Sequence, residues 1–182
     1  MNRTRFTKIN ALIRNTIIIL FLLAISKFTA QSKQQFANLG DFTTVGGDVI
    51  KNCKVGYRTI GTLNAEKTNA VLCPTKFTGT SKNSSVNRVM YATGLFVIMI
   101  DALTNGVSSS PSNTSNFPSV TITDMVNSQY QMVTKHLGID HLYAVIGVAM
   151  GGMQAFEWLV TYPNFMDKVV QSLALLNKRH TT

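Results

Sequence analysis

Hydrophobic and polar positions along this chain fall into two repeating patterns. Short, almost continuous apolar runs predict strands that are buried on both faces, and longer stretches with apolar residues three or four positions apart predict helices. The two patterns alternate through the later part of the chain, which predicts an α/β fold with a mainly parallel sheet and flanking helices. In chain order, the predicted elements of this part are strand Ala70–Cys73, strand Leu95–Ile100, helix Thr121–Leu137, strand Tyr143–Ile146, helix Gly151–Thr161 and strand Lys168–Leu176.

The earlier part of the chain carries a hairpin pattern. Phe42–Val45 leads into Gly46–Asp48, which suits a tight turn, and Cys53–Ile60 then alternates apolar and polar residues like a half-buried strand. The sequence therefore predicts two neighbouring antiparallel strands ahead of the parallel ones.

End signals mark the longest predicted helix. Thr123 is placed to cap its N-terminus and Asp124 lies in its first turn, where a carboxylate is favoured. Gly138 follows Leu137 and predicts the C-terminal end.

The first 30 residues have the build of an export signal. Basic residues precede nine apolar residues, Ile17–Ile25, and small residues follow, so that cleavage is expected between about Ser26 and Ala30. An uncleaved anchor or a buried helix is the alternative, although nine residues are too few to span a bilayer, which needs about 20. We therefore expect a signal peptide over residues 1–30, a periplasmic or secreted domain over residues 31–182, and no stable membrane span after cleavage.

The positive charge of the chain is concentrated in this leader. The formal net charge is +9, but five of the 17 basic residues lie in the first 30 positions, where there is no acidic residue. The remaining 12 face eight acidic residues, which leaves a net charge of +4. Since no stretch interleaves basic and aromatic residues, we expect no nucleic-acid partner.

Two cysteines would meet an oxidising compartment in an exported domain. Cys53 and Cys73 could form a disulfide there, or they could be two buried thiols near strand ends. Two cysteines do not make a disulfide framework, and no group of His, Cys, Asp or Glu has metal-ligand spacing, so no metal or other cofactor is expected.

The most informative stretch joins strand Tyr143–Ile146 to the helix after it. Gly147–Gly152 reads G-V-A-M-G-G, which is the build of a nucleophile elbow, G-x-S-x-G, with Ala149 where the serine would be. Gly147 and Gly151 would be the two nearly side-chain-free positions, and Gly152 would allow close packing of the helix. In an elbow, the N–H of Met150 would face a substrate oxygen, and a second donor would come from the loop around Phe77. A tight strand-to-helix turn of another kind, such as a phosphate cradle, is the alternative.

Other polar residues offer weaker candidates. Ser108–Ser110 lie in a loop rich in Ser, Asn and Pro and suit turn positions, and His136 and His141 flank Gly138 as surface or capping residues. Asp101 ends a central strand, where α/β sheets place functional groups, but it also suits a residue that turns the loop.

The stretch Ala144–Tyr162, followed by a proline, closely resembles the elbow and following helix of homoserine O-acetyltransferases, which are α/β-hydrolase-fold acyltransferases. Val55–Asn64, Phe77–Gly79 and Phe117–Val126 resemble further motifs of that family in the same order, so the resemblance covers roughly residues 42–170. It implies acyl transfer or ester hydrolysis through an acyl-serine, acting on a small-molecule acyl ester or acyl donor, in an exported branch of the group. The residues that would select the acyl donor and acceptor are not identified.

Several departures from the family pattern predict an inactive chain. Ala149 replaces the nucleophile, Thr75 stands where a histidine is usual, and a glycine-rich segment is missing or shortened around Asn83–Ala92. The family's acid and histidine lie well downstream, whereas this sequence ends at Thr182, and His180, only 31 residues after Ala149, is not expected to serve.

Three hypotheses remain open. The chain is a defective enzyme with only the N-terminal part of the domain, a non-catalytic binding module that keeps the oxyanion pocket, or an active exported hydrolase that uses an unconventional residue. In a partial domain, Lys168–Leu176 would be an unprotected sheet edge, which could lead to self-association.

Overall fold

The computed structural model describes residues 33–83 and 94–172. The predicted signal peptide, most of the segment Asn83–Ala92, the end of strand Lys168–Leu176 and His180 lie outside the described residues. Six strands form one sheet in the order β1-β2-β4-β3-β5-β6. The strands are β1 (Gln35–Thr43), β2 (Val49–Ile60), β3 (Ala70–Pro74), β4 (Phe96–Ile100), β5 (Leu142–Val148) and β6 (Met166–Ser172), and the helices are a short 3₁₀ turn (Ser81–Asn83), α1 (Ile122–Gln131), a π-helical turn (Met132–His136) and α2 (Met150–Thr161).

The predicted hairpin is formed by β1 and β2. Phe42 pairs with Ile50 and Thr43 with Val49, and the turn is closed by a hydrogen bond from the N–H of Thr44 to the carbonyl of Asp48 (2.8 Å). Strand β1 begins at Gln35, seven residues before the predicted start. Register shifts on both sides of Gly40 interrupt its alternation, and this explains why a period of two does not reveal its first half.

Strand β4 connects the antiparallel and parallel parts of the sheet. It pairs antiparallel with β2 and parallel with β3, and β5 and β6 continue the parallel part. Ile98 and Ile100 belong to the larger apolar cluster, whereas Val97 and Met99 belong to a smaller one. Because successive side chains of a strand point to opposite faces, β4 is buried on both faces, and the predicted α/β fold with a mainly parallel sheet is confirmed.

The start of α1 differs from the prediction. Thr121, not Thr123, is the N-cap: its side-chain oxygen accepts from the N–H of Asp124 (3.2 Å), and the Asp124 carboxylate accepts from the N–H of Thr121 (2.8 Å). This reciprocal pair needs two residues that are three positions apart, a spacing that Thr123 and Asp124 do not have. The hydroxyl of Thr123 instead donates to Glu157 of α2 (2.7 Å).

The end of this helical segment also departs from a regular α-helix. After Gln131 the backbone widens into the π-helical turn, and Gly138 follows with a φ of +62°. Gly138 therefore ends the segment as predicted, because a left-handed conformation is far less strained in glycine than in other residues.

Helices α1 and α2 pack against each other through aromatic rings. Trp158 is fully buried, and Tyr130 stacks on Tyr162 with a centroid separation of 4.0 Å. Phe165 completes the group at 5.1 Å from the Tyr130 ring. These contacts fix the position of α2 over the sheet, and with it the residues at the N-terminus of α2.

Strand β6 is at the edge of the sheet that the described residues form. It pairs with β5, and Val170 leaves 51% of its surface exposed. Self-association through this edge stays a prediction. Within residues 33–83 and 94–172, no helix is long and apolar enough to cross a membrane.

Candidate active site

The turn between β5 and α2 consists of a single residue. Strand β5 ends at Val148, α2 begins at Met150, and Ala149 between them has φ 53° and ψ −122°. Its N–H donates to the carbonyl of Ser172 (2.9 Å), and its own carbonyl accepts from Met153 (3.1 Å). A non-glycine residue in such a sparsely populated conformation costs on the order of 1–3 kcal/mol, so the surrounding structure must impose this geometry.

Three glycines impose it by allowing backbone atoms to approach closely. A Cβ at Gly147 would lie 1.9 Å from the carbonyl oxygen of Gly151, and a Cβ at Gly151 would lie 2.5 Å from that of Pro74. A Cβ at Gly152 would be 3.1 Å from the side chain of Gln171 on β6. The first two positions exclude any side chain, and the third brings α2 close to β6, so the glycine pattern of the sequence has a steric basis at each position.

The loop after β3 passes directly beside this turn. Thr75 is buried; its N–H donates to Ile100 (3.1 Å) and its hydroxyl oxygen accepts from the N–H of Ala102 (3.0 Å). Beyond it, Phe77 is 71% exposed and the N–H of Gly79 donates to Lys76 (2.9 Å). The threonine found in place of the family's usual histidine therefore joins the ends of β3 and β4.

A buried glutamine attaches this loop to both helices, and no motif in the sequence predicts its role. The amide of Gln154 donates to the carbonyl of Thr75 (3.1 Å), and its oxygen accepts from Gln129 of α1 (2.5 Å). Gln129 in turn accepts from the indole N–H of Trp158 (2.8 Å). A polar residue at a helix position that faces the core is the signal that could have revealed this network.

Asp101 organises the loop that follows β4. It is fully buried and accepts from the N–H of Ser81 (2.7 Å), the hydroxyl of Ser81 (2.7 Å), Asn105 (3.1 Å) and Gln34 (3.0 Å). Asn105 also donates to the carbonyl of Gly79 (3.2 Å). Four donors occupy the carboxylate, so Asp101 holds together loops that are distant in sequence, which favours its interpretation as a loop-organising residue.

Ser108–Ser110 are buried and hydrogen-bonded to the backbone. The hydroxyl of Ser108 donates to the carbonyl of Asp101 (2.6 Å) and accepts from the N–H of Gly56 (2.9 Å), and Ser109 accepts from the N–H of Lys54 (3.0 Å). Ser110 contacts Ser112 (2.9 Å). The loop thereby satisfies backbone groups of β2, and these serines have the structural role that the sequence favours.

The histidines of the described residues lie apart from the turn. His136 contacts the hydroxyl of Tyr57 (3.1 Å), and His141 pairs with Asp167 (2.9 Å) on the surface. In the part of the chain that the structure describes, no group of three or more His, Cys, Asp or Glu residues is placed to hold a metal ion.

Both cysteines are free, buried thiols. Cys53 belongs to the larger apolar cluster and Cys73 to the smaller one. Burial raises the pKa of Cys53 to about 11, partly offset by a hydrogen bond with Ser109, and raises the pKa of Cys73 to about 12. A thiol with such a high pKa is a poor nucleophile at neutral pH.

The geometry brings together some of the predicted site residues. Met150 is the first residue of α2, and the contact between Pro74 and Gly151 places the β3 loop beside that helix end. The N–H groups of a first helical turn lack partners within the helix and can bind an oxyanion. The roles of Met150 and Phe77 as oxyanion donors stay predictions.

Comparison with known proteins places this chain in a family. A family model for the α/β-hydrolase fold matches residues 70–181, and the chain therefore belongs to the α/β-hydrolase fold family. A probable esterase of Corynebacterium glutamicum is 36% identical over 146 residues, which cover 74% of this chain and 42% of the relative. A homoserine O-acetyltransferase of Methanococcoides burtonii is 33% identical over 158 residues, which cover 72% and 32%.

Solved structures agree with these relatives. The structure of an acetylester hydrolase from Corynebacterium glutamicum matches with a TM-score of 0.69 and 33% identity, over 75% of this chain and 43% of that chain. A homoserine O-acetyltransferase from Bacillus anthracis matches with a TM-score of 0.64 and 26% identity, over 78% and 46%. The chain thus spans less than half the length of each of these relatives, and the similarity to esterases and homoserine O-acetyltransferases is confirmed.

Proposed function

We propose that this chain is a homologue of α/β-hydrolase-fold esterases and acyltransferases in which the acyl-serine step is lost. The observation that carries the proposal is Ala149, a residue without a nucleophilic atom in the strained turn between β5 and α2. A methyl group cannot attack a carbonyl, and loss of a catalytic serine costs on the order of a millionfold in turnover.

The contacts of the acidic residues that follow Ala149 also support the proposal. Two acidic residues follow Ala149 in the part of the chain that the structure describes, Glu157 and Asp167. Glu157 accepts from Thr123 and Thr161, and Asp167 pairs with His141. Both carboxylates therefore already have hydrogen-bond partners, and neither has the place of the acid in a catalytic triad.

Ester turnover tests this proposal. The purified chain, its Ala149→Ser variant and a control variant, Ala65→Ser at an exposed turn residue, are compared with p-nitrophenyl acetate and a fluorophosphonate probe. We expect the unaltered chain and the control to hydrolyse the ester no faster than buffer and to take up no probe. Turnover or labelling of the unaltered chain would overturn the proposal and favour an active hydrolase that uses another residue.

A second candidate is a non-catalytic module that binds a small acyl ester. It is favoured by the survival of the strained turn and of the Thr75–Gln154 contact beside it, although no nucleophile needs them. Met150 and Phe77 would supply the N–H groups that bind the ester carbonyl. A ligand that binds the folded state raises the melting temperature. Ethyl acetate at millimolar concentration should raise it in the unaltered chain, and an unchanged melting temperature would exclude this candidate.

The proposed location is the periplasm or the cell exterior. It is supported by the basic region, apolar run and small residues of the first 30 positions. Expression of the full sequence should yield a protein whose new N-terminus lies just after a position between Ser26 and Ala30. An intact mass with residues 1–30 still present would contradict the proposal.

A further inference from the structure

Asn105 and Gly106, in the loop after β4, form the one Asn-Gly pair of the sequence. The backbone nitrogen of the residue after an asparagine can attack the side-chain amide and close a succinimide ring. Glycine at that place favours the attack, because it has no Cβ in the way and its backbone bends freely towards the side chain. The loop therefore contains the dipeptide in which asparagine is chemically least stable.

The shape of this loop requires both residues. Gly106 has a φ of +87°, in the left-handed region that favours glycine. The side-chain oxygen of Asn105 accepts from the backbone N–H groups of Val107 (2.9 Å) and Ser108 (3.1 Å). A short side chain with an acceptor is what such a turn needs in order to satisfy its backbone donors. The reactive pair is therefore built into the loop for structural reasons.

The closed loop also holds the nitrogen that the reaction would release. The Asn105 amide donates to the carbonyl of Gly79 (3.2 Å) and to the carboxylate of Asp101 (3.1 Å). Succinimide formation makes the side-chain carbon tetrahedral and expels this nitrogen, so both hydrogen bonds must be lost on the way. The geometry of attack is reached only after the loop opens, and the rate of reaction then follows the opened fraction.

The product does not fit the place of the amide. Hydrolysis of the ring leaves a carboxylate at position 105, in place of an amide that lies 3.1 Å from the fully buried Asp101 carboxylate. Two like charges at such a distance repel, and the carbonyl of Gly79 loses its donor. A modified loop therefore resists closing, whereas an unmodified loop closes again.

We propose that Asn105 is a deamidation site that reacts when the loop after β4 opens and then keeps that loop open. In the reaction the Gly106 nitrogen gives its proton to solvent and forms a bond to the side-chain carbon of Asn105. The bond from that carbon to the amide nitrogen breaks, and this nitrogen takes up a proton and leaves as ammonia. One water then opens the ring at either carbonyl, which leaves a carboxyl group in an aspartyl or isoaspartyl linkage.

The modification would also affect the loop after β3. Because the Asn105 amide donates to Gly79, deamidation removes a bond that joins the segment Phe77–Gly79 to the loop after β4. The change is one-way, since the ammonia is lost to solvent, so it marks each chain whose loop has opened. The reaction needs no nucleophile at Ala149, and this proposal and the proposed loss of activity therefore fail independently.

Peptide mass mapping tests the protection by the closed loop. The full chain is incubated at mildly alkaline pH in native buffer and in urea that unfolds it, and the mass gain from amide to carboxylic acid is located in a digest. Modification at Asn105 should be at least about tenfold faster in urea than in native buffer. Asn105→Gln is the control in urea, because glutamine closes a larger ring far more slowly. A rate in native buffer that equals or exceeds the rate in urea, or no mass gain in urea, would overturn the proposal.

Urea titration tests the misfit of the product. Asn105→Asp mimics the aspartyl product and should raise the equilibrium constant for unfolding by about tenfold or more. Ser115→Asp adds a carboxylate at an exposed position of the same loop and should change that constant less than about twofold. Asn105→Asp combined with Asp101→Asn should be more stable than Asn105→Asp alone, because one carboxylate again faces one amide. Unchanged stability of Asn105→Asp, or a double variant no more stable than it, would overturn the proposal.

Discussion

Two connections that follow central strands keep their shape in opposite ways. The turn after β5 is held by the absence of side chains: Gly147 and Gly151 let backbone atoms approach so closely that Ala149 is forced into a strained conformation. The loop after β4 is held by side chains, since Asp101 and Ser108 satisfy backbone and side-chain donors. The β5 turn therefore does not need its central side chain, so a nucleophile can be lost there without loss of the fold.

The largest expected effect is on the turn after β5, where close backbone packing excludes a side chain at Gly147. Gly147→Ala would place a Cβ 1.9 Å from a backbone oxygen of α2, a clash that no side-chain movement relieves. We expect the free energy of unfolding to fall by about 4 kcal/mol or more, measured by urea titration with circular dichroism. Gly46→Ala is the control, because its Cβ would lie 3.8 Å from its nearest neighbour. Equal stability of the two variants would show that the turn is not held by steric exclusion.

A smaller effect is expected in the loop after β4. Asp101→Ala removes the acceptor of four hydrogen bonds and leaves buried donors without partners, which we expect to cost about 3 kcal/mol. Asp140→Ala, at an exposed position, should change the stability by less than about 0.5 kcal/mol. Urea titration measures both, and a loss below 1 kcal/mol for Asp101→Ala would contradict the role given to its side chain.

The strain at Ala149 predicts a gain in stability. Ala149→Gly relieves the unfavourable φ of 53°, and after subtraction of the higher entropy of an unfolded glycine we expect a net gain of about 1 kcal/mol. Ala65→Gly, at an exposed position with an ordinary backbone conformation, should instead lose about 0.5–1 kcal/mol. Thermal unfolding measures both changes. A gain in stability for Ala149→Gly with a loss for Ala65→Gly would support strain at Ala149, and two losses of similar size would show that Ala149 is not strained.

The smallest expected effect is the pH dependence of stability that the two thiols cause. One thiol lies beside the loop after β4 and the other beside the turn after β5, so each reports on one of these regions. Cys53 contacts Ser109 of the β4 loop, and Cys73 precedes Pro74, whose carbonyl oxygen lies against Gly151 of the turn. Their pKa values rise from 9.0 to about 11 and about 12 in the folded chain, so the unfolded state loses protons first. The stability that the two protonated thiols contribute is therefore present below about pH 9 and is lost as the pH rises towards 11 and 12.

Between pH 7.5 and 9 we therefore expect the unaltered chain to lose less than about 1 kcal/mol, and Cys53→Ala and Cys73→Ala each to remove part of that dependence. Urea titration at the two pH values measures it. If the double variant shows the same pH dependence as the unaltered chain, the thiols are not its source.

The sequence predicts most of the elements but not the connections between them. Periodicity identifies β3 to β6 and both helices, since these segments pack with a regular repeat. The first half of β1 is missed because its register shifts around Gly40, and the cap of α1 is misplaced because two threonines compete for it. Local patterns carry no information about which of these alternatives tertiary contacts select.

The candidate site shows the same limit. The glycines of Gly147–Gly152 could be predicted, because the constraint is local and steric. The contacts of Asp101 with Gln34, and of Gln154 with Thr75, join residues 67 and 79 positions apart, and a single sequence does not reveal such pairs. The partners that would complete a catalytic site belong to the same class of distant contact.

The aromatic packing around α2 determines what fluorescence can report about the folding of this chain. Trp158 is its single tryptophan, and it lies among the rings of Tyr130, Tyr162 and Phe165. Intrinsic fluorescence therefore observes one corner of the molecule, where the two helices meet. Assembly of the hairpin at the far edge of the sheet would leave the tryptophan fluorescence unchanged, so a fluorescence trace and a circular dichroism trace that separate in time would reveal the order in which the two ends of this sheet are built.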